Sequence, residues 1–157
     1  HMARPRKDLL KTILSGCKND QMRAMRIMES AHADQTRKIS GDPFYVHRRR
    51  VGLSFSDPVL RSAGYLHDVI EDTDWTYQDL HSAGISKTVT DILYFLTQKS
   101  GETYFDYILR LMHCTEAVQI KLVDLLDNMQ DWPKEGSMKD KWRLTYYLLS
   151  NGKYPPA

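Results

Sequence analysis

Hydrophobic residues recur along this chain mostly at spacings of three and four, which is the period of an amphipathic helix. The pattern predicts a helix over residues 20–34 and another over about residues 44–56. A cluster that contains glycine and proline, residues 39–43, interrupts the pattern and predicts a loop. Basic residues stand just before this cluster, so a basic loop is expected to join the two helices.

Capping signals mark the helices that follow. Asp57 before Pro58 is typical of a helix start, and the apolar spacing predicts a continuous helix from there through His67 and Asp68 towards Glu71. Residues 76–79 resemble a capping box that opens a short helix ending near residue 84. Four more helices are expected over about residues 86–96, 104–112, 116–129 and 138–150. Because no segment alternates like a strand, the predicted fold class is all-α.

The composition is that of one globular domain. Of 157 residues, 41% are hydrophobic and 27% are charged, which is enough apolar material for a core. We interpret residues 1–2 as an expression scar and residues 3–157 as a single domain. No run approaches the roughly 18 apolar residues of a membrane-spanning helix, and no signal-peptide pattern begins the chain. We therefore expect a cytoplasmic protein with no membrane partner.

The net charge bears on nucleic-acid binding, and the cysteine content bears on disulfide formation. The formal net charge is only +2, which argues against a dedicated nucleic-acid binder. Cys17 and Cys114 form no close pair, so reduced thiols are expected. Basic residues crowd one segment and acidic residues the next. The run Arg48, Arg49 and Arg50 predicts a solvated helix face, since three successive residues cannot all point into one cleft.

The segment 67–72 concentrates polar side chains that can do chemistry. On a helix, His67 lies above Glu71 and Asp68 above Asp72, because residues four apart share a face. An adjacent histidine and aspartate can bind one ion through a ring nitrogen and a carboxylate oxygen. A catalytic metal site needs further protein ligands and an open position for water or substrate.

His47 and Asp124 fit the missing ligands. Asp124 stands among apolar residues, where an ionised carboxylate is costly to bury without a metal or a donor. Each histidine taken alone is more typical of an ordinary hydrogen-bonded residue. The residues alone therefore leave two interpretations equally open, a metal site or ordinary hydrogen-bonded histidines.

Four blocks of sequence, in this order, resemble the HD-domain metal-dependent phosphohydrolases, and more narrowly the alarmone hydrolase domain of the RelA/SpoT group with its small stand-alone members. The blocks are Ala31-His32 with Gln35 and Arg37-Lys38, then Gly41-Asp42-Pro43-Phe44 with His47, then residues 66–73, then residues 121–124 with Asn128. The resemblance implies an all-α HD helical bundle with a central metal site.

The resemblance also assigns the metal ligands and the catalytic acids. It implies one divalent ion, usually Mn²⁺ in this family, held by four residues: His47, His67, Asp68 and Asp124. Two imidazoles and two carboxylates suit such an ion, and no thiolate is positioned to favour structural zinc. Glu71 and Asp72 match the acidic pair that would orient and deprotonate the attacking water.

Substrate contacts follow from the same resemblance. They fall on six residues: Arg37, Lys38, Lys99, Asn128, Arg143 and Tyr147. The first two match residues that contact the nucleotide base and phosphates. Asn128 follows Asp124 by one helical turn and should face the same site. For Lys99 and the Arg143–Tyr147 pair, a solvated lysine and a packed aromatic are equally open alternatives.

The implied reaction is hydrolysis of the 3′-pyrophosphate of (p)ppGpp, the alarmone of the stringent response, with a small nucleotide as the partner. At this length we expect no synthetase half. Arg48 replaces a proline common after the first metal histidine, and Leu125 and Asp127 replace basic or aromatic residues. These departures leave open another nucleotide substrate, such as NADPH. A non-catalytic nucleotide-binding module is the second alternative, and the sequence does not indicate an oligomeric state.

Overall fold

The computed structural model describes residues 7–35, 44–132 and 134–156, which form ten α-helices and contain no strand. In chain order, α1 to α10 span Lys7–Ser15, Asp20–Ala31, Phe44–Leu53, Pro58–Leu66, Val69–Asp72, Tyr77–Ser82, Lys87–Leu96, Tyr104–Leu111, Thr115–Asp131 and Ser137–Leu149. The predicted all-α class is confirmed for these residues. None of the described helices combines the length and the apolar character that crossing a membrane requires.

Polar side chains begin the helices where the sequence predicted them. Asp57 accepts hydrogen bonds from two backbone N–H groups of the first turn of α4, in which Pro58 is the first residue. Thr76 and Asp79 form the reciprocal hydrogen bonds of a capping box at α6. These bonds satisfy backbone donors that the first turn of a helix leaves without a partner. The two predicted helix starts are therefore confirmed.

The continuous helix expected through His67 and Asp68 is wrong. α4 ends at Leu66, and the chain resumes helical form only in the four-residue α5. The ring of His67 is the physical reason, because its Nδ1 lies 2.6 Å from the carbonyl oxygen of Gly64. In an unbroken α-helix that carbonyl would accept from the backbone N–H of Asp68.

The first two helices differ from what the sequence predicted. The helix predicted over residues 20–34 ends at Ala31, and α1 was not predicted at all. The predicted loop over residues 39–43 lies outside the described residues. The expectation for Cys17 and Cys114 is confirmed, since both are free.

The fourth helix is the centre of the core. α4 packs against α2, α3, α7 and α9, and its residues 62–66 are all buried. α3 and α9 also contact each other. Side chains of α3, of the end of α4 and of the middle of α9 are therefore brought to one place.

α3 and α4 approach each other backbone to backbone. A Cβ atom added to Gly64 would lie 2.9 Å from the Cα of Gly52 and 3.1 Å from its nitrogen. No larger residue fits at such a crossing without moving one of the helices. The close approach places His47 of α3 beside His67, with ring centroids 5.4 Å apart.

We expect the substitution Gly64→Ala to lower the free energy of unfolding by about 1–3 kcal/mol, because the added methyl group must push two backbones apart. Gly16→Ala is the matched control, since its added Cβ would meet nothing closer than 3.6 Å. Urea unfolding of both variants measures the difference. Equal stability of the two variants would show that the glycine crossing does not constrain the fold.

Candidate functional site

The four residues expected to bind a metal come together from three parts of the chain. His47 lies on α3, His67 and Asp68 lie between α4 and α5, and Asp124 lies on α9. Asp124 Oδ1 is 2.9 Å from His47 Nε2 and 3.2 Å from His67 Nε2. Asp68 Oδ2 is 3.2 Å from His67 Nε2. Among the described residues, His47, His67 and Asp68 offer ligand atoms that all lie within 4.8 Å of one another.

Both imidazoles present Nε2 to this centre because their Nδ1 atoms are engaged elsewhere. A carbonyl oxygen can only accept, so His67 Nδ1 donates to Gly64, and in the neutral ring Nε2 then carries the lone pair. His47 Nδ1 forms a short hydrogen bond with the carboxylate of Asp127. Histidines that bind metals are oriented in this way, by a carbonyl or carboxylate on the second nitrogen.

The centre contains two carboxylates, Asp68 and Asp124, whose negative charge is partly balanced by positive neighbours. Burial lowers the pKa of His67, but the charges of Asp68 and Asp124 outweigh it and raise the pKa to about 10. Burial raises the pKa of Asp124, and Lys121 and His67 together hold it well below its usual range. Two imidazole nitrogens and two carboxylates are a donor set that fits a divalent cation, which would neutralise this charge.

Lys121 is a site residue to which the sequence assigned no role. Its Nζ lies 2.9 Å from Asp124 Oδ2, so the two oxygens of Asp124 face different partners. Asn128 donates from Nδ2 to Asp124 Oδ1 at 3.1 Å, and it therefore lies at the centre, where it was expected. The signal for Lys121 was its spacing, since residues three apart on a helix are neighbours.

The two acids proposed for catalysis have different partners beside the ligand centre, by which we mean the four predicted metal ligands. Asp72 Oδ2 lies 2.8 Å from Arg48 Nη2, whereas Glu71 accepts a short hydrogen bond from the backbone N–H of Gln98. Burial, reinforced by Asp68, raises the pKa of both side chains, although Arg48 opposes the shift at Asp72 and the Gln98 N–H at Glu71. A raised pKa suits a carboxyl group that takes up and returns a proton near neutral pH.

The solvated face predicted for the three arginines is wrong for Arg48. Its side chain is only 2% exposed, and Nη2 lies 2.7 Å from Asp68 Oδ2. Arg49 and Arg50 are partly exposed and pair with other acids. Successive helical residues point about 100° apart, so only one of the three faces the site.

Comparison with known proteins agrees with this geometry. No protein-family model matches the chain. The bifunctional (p)ppGpp synthase/hydrolase SpoT of Escherichia coli K12 is 32% identical over 131 residues, which are 71% of this chain and 18% of SpoT. A probable guanosine-3′,5′-bis(diphosphate) 3′-pyrophosphohydrolase of Mycoplasma genitalium is 37% identical over 76 residues, 46% of this chain and 10% of that protein. This chain belongs to the RelA/SpoT-type hydrolase domain family.

A solved structure supports the same fold. It is described as a metazoan orthologue of SpoT that hydrolyses ppGpp, and it matches with a TM-score of 0.70 at 20% identity, over 87% of this chain and 86% of that one. The similarity confirms the all-α HD fold that the sequence predicted. The chain spans less than a fifth of the length of the curated relatives described above. In each of them the similar segment is one part of a longer protein.

Of the substrate contacts predicted for this RelA/SpoT-type domain, Lys99 lies near the acids. It follows Gln98, whose backbone donates to Glu71, and its Nζ lies 2.6 Å from the hydroxyl of Tyr94. Arg37 and Lys38 lie outside the described residues. Their roles, and that of Lys99, stay predictions.

The structure does not bring Arg143 and Tyr147 to the four predicted metal ligands. Arg143 lines a cavity of about 400 Å³ together with Leu126 and Met129 of α9. These two residues lie about 140–200° around the helix from Asp124, on its opposite side. Tyr147 lines a second cavity there with Arg143. α10 therefore packs on the side of α9 that faces away from the ligand centre.

We expect Asp127→Asn to weaken Mn²⁺ binding about 10- to 100-fold, because the carboxylate that orients His47 is lost. Burial raises the pKa of Asp127, but His47 and Arg50 outweigh it and lower the pKa to about 2, so the group is ionised at neutral pH. Isothermal titration calorimetry with Mn²⁺ measures the effect. Asp91→Asn, which removes an exposed carboxylate paired with Lys87, is the control. Equal affinity in both variants would contradict the orienting role.

Proposed function

We propose that residues 3–157 form a single hydrolase domain that cleaves the 3′-pyrophosphate of (p)ppGpp. Water oxygen bonds to the phosphorus next to the 3′ oxygen, the bond from that phosphorus to the 3′ oxygen breaks, and GDP or GTP leaves with pyrophosphate. The observation that carries the proposal is the cluster of two imidazoles and two carboxylates with two more acids beside it. The relatives in Escherichia coli and Mycoplasma genitalium are named for this chemistry.

We further propose that the domain uses one divalent ion, Mn²⁺, with His47, His67, Asp68 and Asp124 as its ligands. When bound, the ion supplies positive charge for phosphoryl oxygens and lowers the pKa of a water molecule. The protein contributes the orientation of its ligands. The Gly64 carbonyl fixes the ring of His67, and the Asp127 carboxylate fixes that of His47.

The two acids have separate tasks in this proposal. The carboxylate of Asp72 is held by Arg48, which fixes its direction at the edge of the ligand centre. Glu71 has a raised pKa because it is buried, and its hydrogen bond comes from a neutral backbone N–H. Glu71 is therefore suited to take the proton from the attacking water and to return it to the leaving 3′ oxygen.

Binding of the substrate falls to polar groups around this centre. Asn128 contacts the predicted ligand Asp124, and its side-chain amide is a neutral donor of the kind that binds phosphate oxygens. Lys99 lies on the side of Glu71 and can turn its ammonium group from Tyr94 to a phosphate. Arg37 and Lys38 are assigned to the substrate by resemblance alone, and so are Arg143 and Tyr147.

The first test is incubation of the purified protein with ppGpp and Mn²⁺, in parallel with NADPH and ordinary nucleotides. We expect pyrophosphate to be released from ppGpp and chelation of the metal to abolish the release. Phosphate release from NADPH alone would identify a different phosphohydrolase on the same fold. Binding of ppGpp without any cleavage would identify a nucleotide-binding module.

The roles of the acids are separated by two substitutions. We expect Asp68→Ala to abolish Mn²⁺ binding and turnover together, because a ligand is lost. Glu71→Gln keeps the oxygen that accepts from Gln98, so we expect Mn²⁺ binding to persist while kcat falls about 10²- to 10⁴-fold. Calorimetry and steady-state kinetics check both outcomes. Equal loss of metal in the two variants would contradict the division into ligand and proton carrier.

A further inference from the structure

A buried arginine connects the proposed metal ligands to the proposed catalytic acids. The side chain of Arg48 is 2% exposed, and its Nη2 lies 2.7 Å from Asp68 Oδ2 and 2.8 Å from Asp72 Oδ2. The two carboxylates share a face of the turn that begins α5, since they are four residues apart. One end of one guanidinium group therefore bridges a ligand and an acid.

The oxygen that Arg48 contacts also faces the ligand centre. Asp68 Oδ2 lies 3.2 Å from His67 Nε2, so Arg48 and a metal ion would share the charge of the same carboxylate. A guanidinium group stays charged at any relevant pH, and its repulsion of a second cation is strong where little water screens it. Arg48 thus opposes metal binding, unlike Asp127, whose negative charge supports it.

The contact with Asp72 has a different consequence. The side chain of Asp72 is 41% exposed, so packing alone leaves it room to turn towards solvent. The ion pair with a buried arginine that also contacts Asp68 restricts that freedom and keeps the carboxylate of Asp72 close to Asp68. Arg48 contacts Asp68 and Asp72 and is therefore expected to act through these two carboxylates.

We propose that Arg48 is a positioning residue that holds Asp72 at the site and, by sharing the carboxylate of Asp68, weakens the binding of the divalent ion. The effect on kcat rests on the proposed function. The effect on metal affinity rests on the ligand set alone. The two halves can therefore be tested separately.

The test compares Arg48→Met with Arg48→Lys, using Mn²⁺ calorimetry, thermal unfolding with and without Mn²⁺, and steady-state hydrolysis of ppGpp. Methionine fills the buried space without charge, so we expect about tenfold or tighter Mn²⁺ binding and a larger rise in Tm on adding Mn²⁺. We expect kcat to fall about tenfold or more with KM little changed. Lysine keeps the charge but carries it on a flexible stem that ends short of the position of Nη2, so Mn²⁺ affinity should stay within about twofold while kcat falls.

Arg49→Met is the matched control, because Arg49 is the next residue, is partly exposed and pairs with Glu29 of α2. Its Mn²⁺ affinity and kcat should equal those of the unsubstituted protein. Weaker or unchanged Mn²⁺ binding in Arg48→Met would overturn the proposal, since an arginine that only supports the framework produces that result. Should Arg48→Met not fold, Arg48→Gln is neutral and keeps hydrogen-bond donors, and tighter Mn²⁺ binding is required of it instead.

A double substitution tests whether Arg48 acts through Asp72. If it does, Arg48→Met combined with Asp72→Asn should have the same kcat as Asp72→Asn alone. A further fall in kcat would refute the positioning role. If the unsubstituted protein does not cleave ppGpp, the proposed function fails, while the Mn²⁺ affinities of the Arg48 variants still decide the effect on the metal.

Discussion

The burial of one carboxylate, that of Asp124, constrains the helices around it. An ionised group removed from water is costly unless charged or donating partners surround it. α3 and α4 bring the rings of His47 and His67, and α9 itself supplies Lys121 one turn earlier. The requirement to satisfy Asp124 thus ties together three helices that are distant in sequence. The same contacts place two imidazole nitrogens beside the carboxylate, which together form a donor set that fits a divalent ion.

Local signals in the sequence predicted most of the helices, because periodicity and caps depend on neighbouring residues. They also singled out the segment 67–72 as the one that concentrates chemically active side chains. The break after Leu66 was missed because a ring nitrogen of His67 replaces a backbone donor, which no hydrophobic pattern reveals. Arg48 was missed for a related reason. Three successive arginines look alike in sequence, and only the packing of α3 on α4 decides which one is buried.

Longer-range placement was the harder problem. Helical spacing correctly grouped Arg143 with Tyr147, and Asp124 with Asn128, since each pair lies one turn apart. Spacing cannot tell which side of α9 receives α10, because that depends on tertiary packing. The structure places α10 against the side opposite Asp124. The four predicted metal ligands, by contrast, were assigned by the resemblance to a known family, and the structure brings them together as expected.

The contact between Gly52 and Gly64 sets the separation of α3 and α4 by main-chain atoms, and the two histidine rings lie 5.4 Å apart on these helices. This crossing fixes the two backbones, whereas the direction of each imidazole depends on its hydrogen-bond partner. A protein engineer who wishes to accommodate a larger or smaller cation would gain little from redesigning the apolar interior. The useful positions are the polar neighbours that aim each ring.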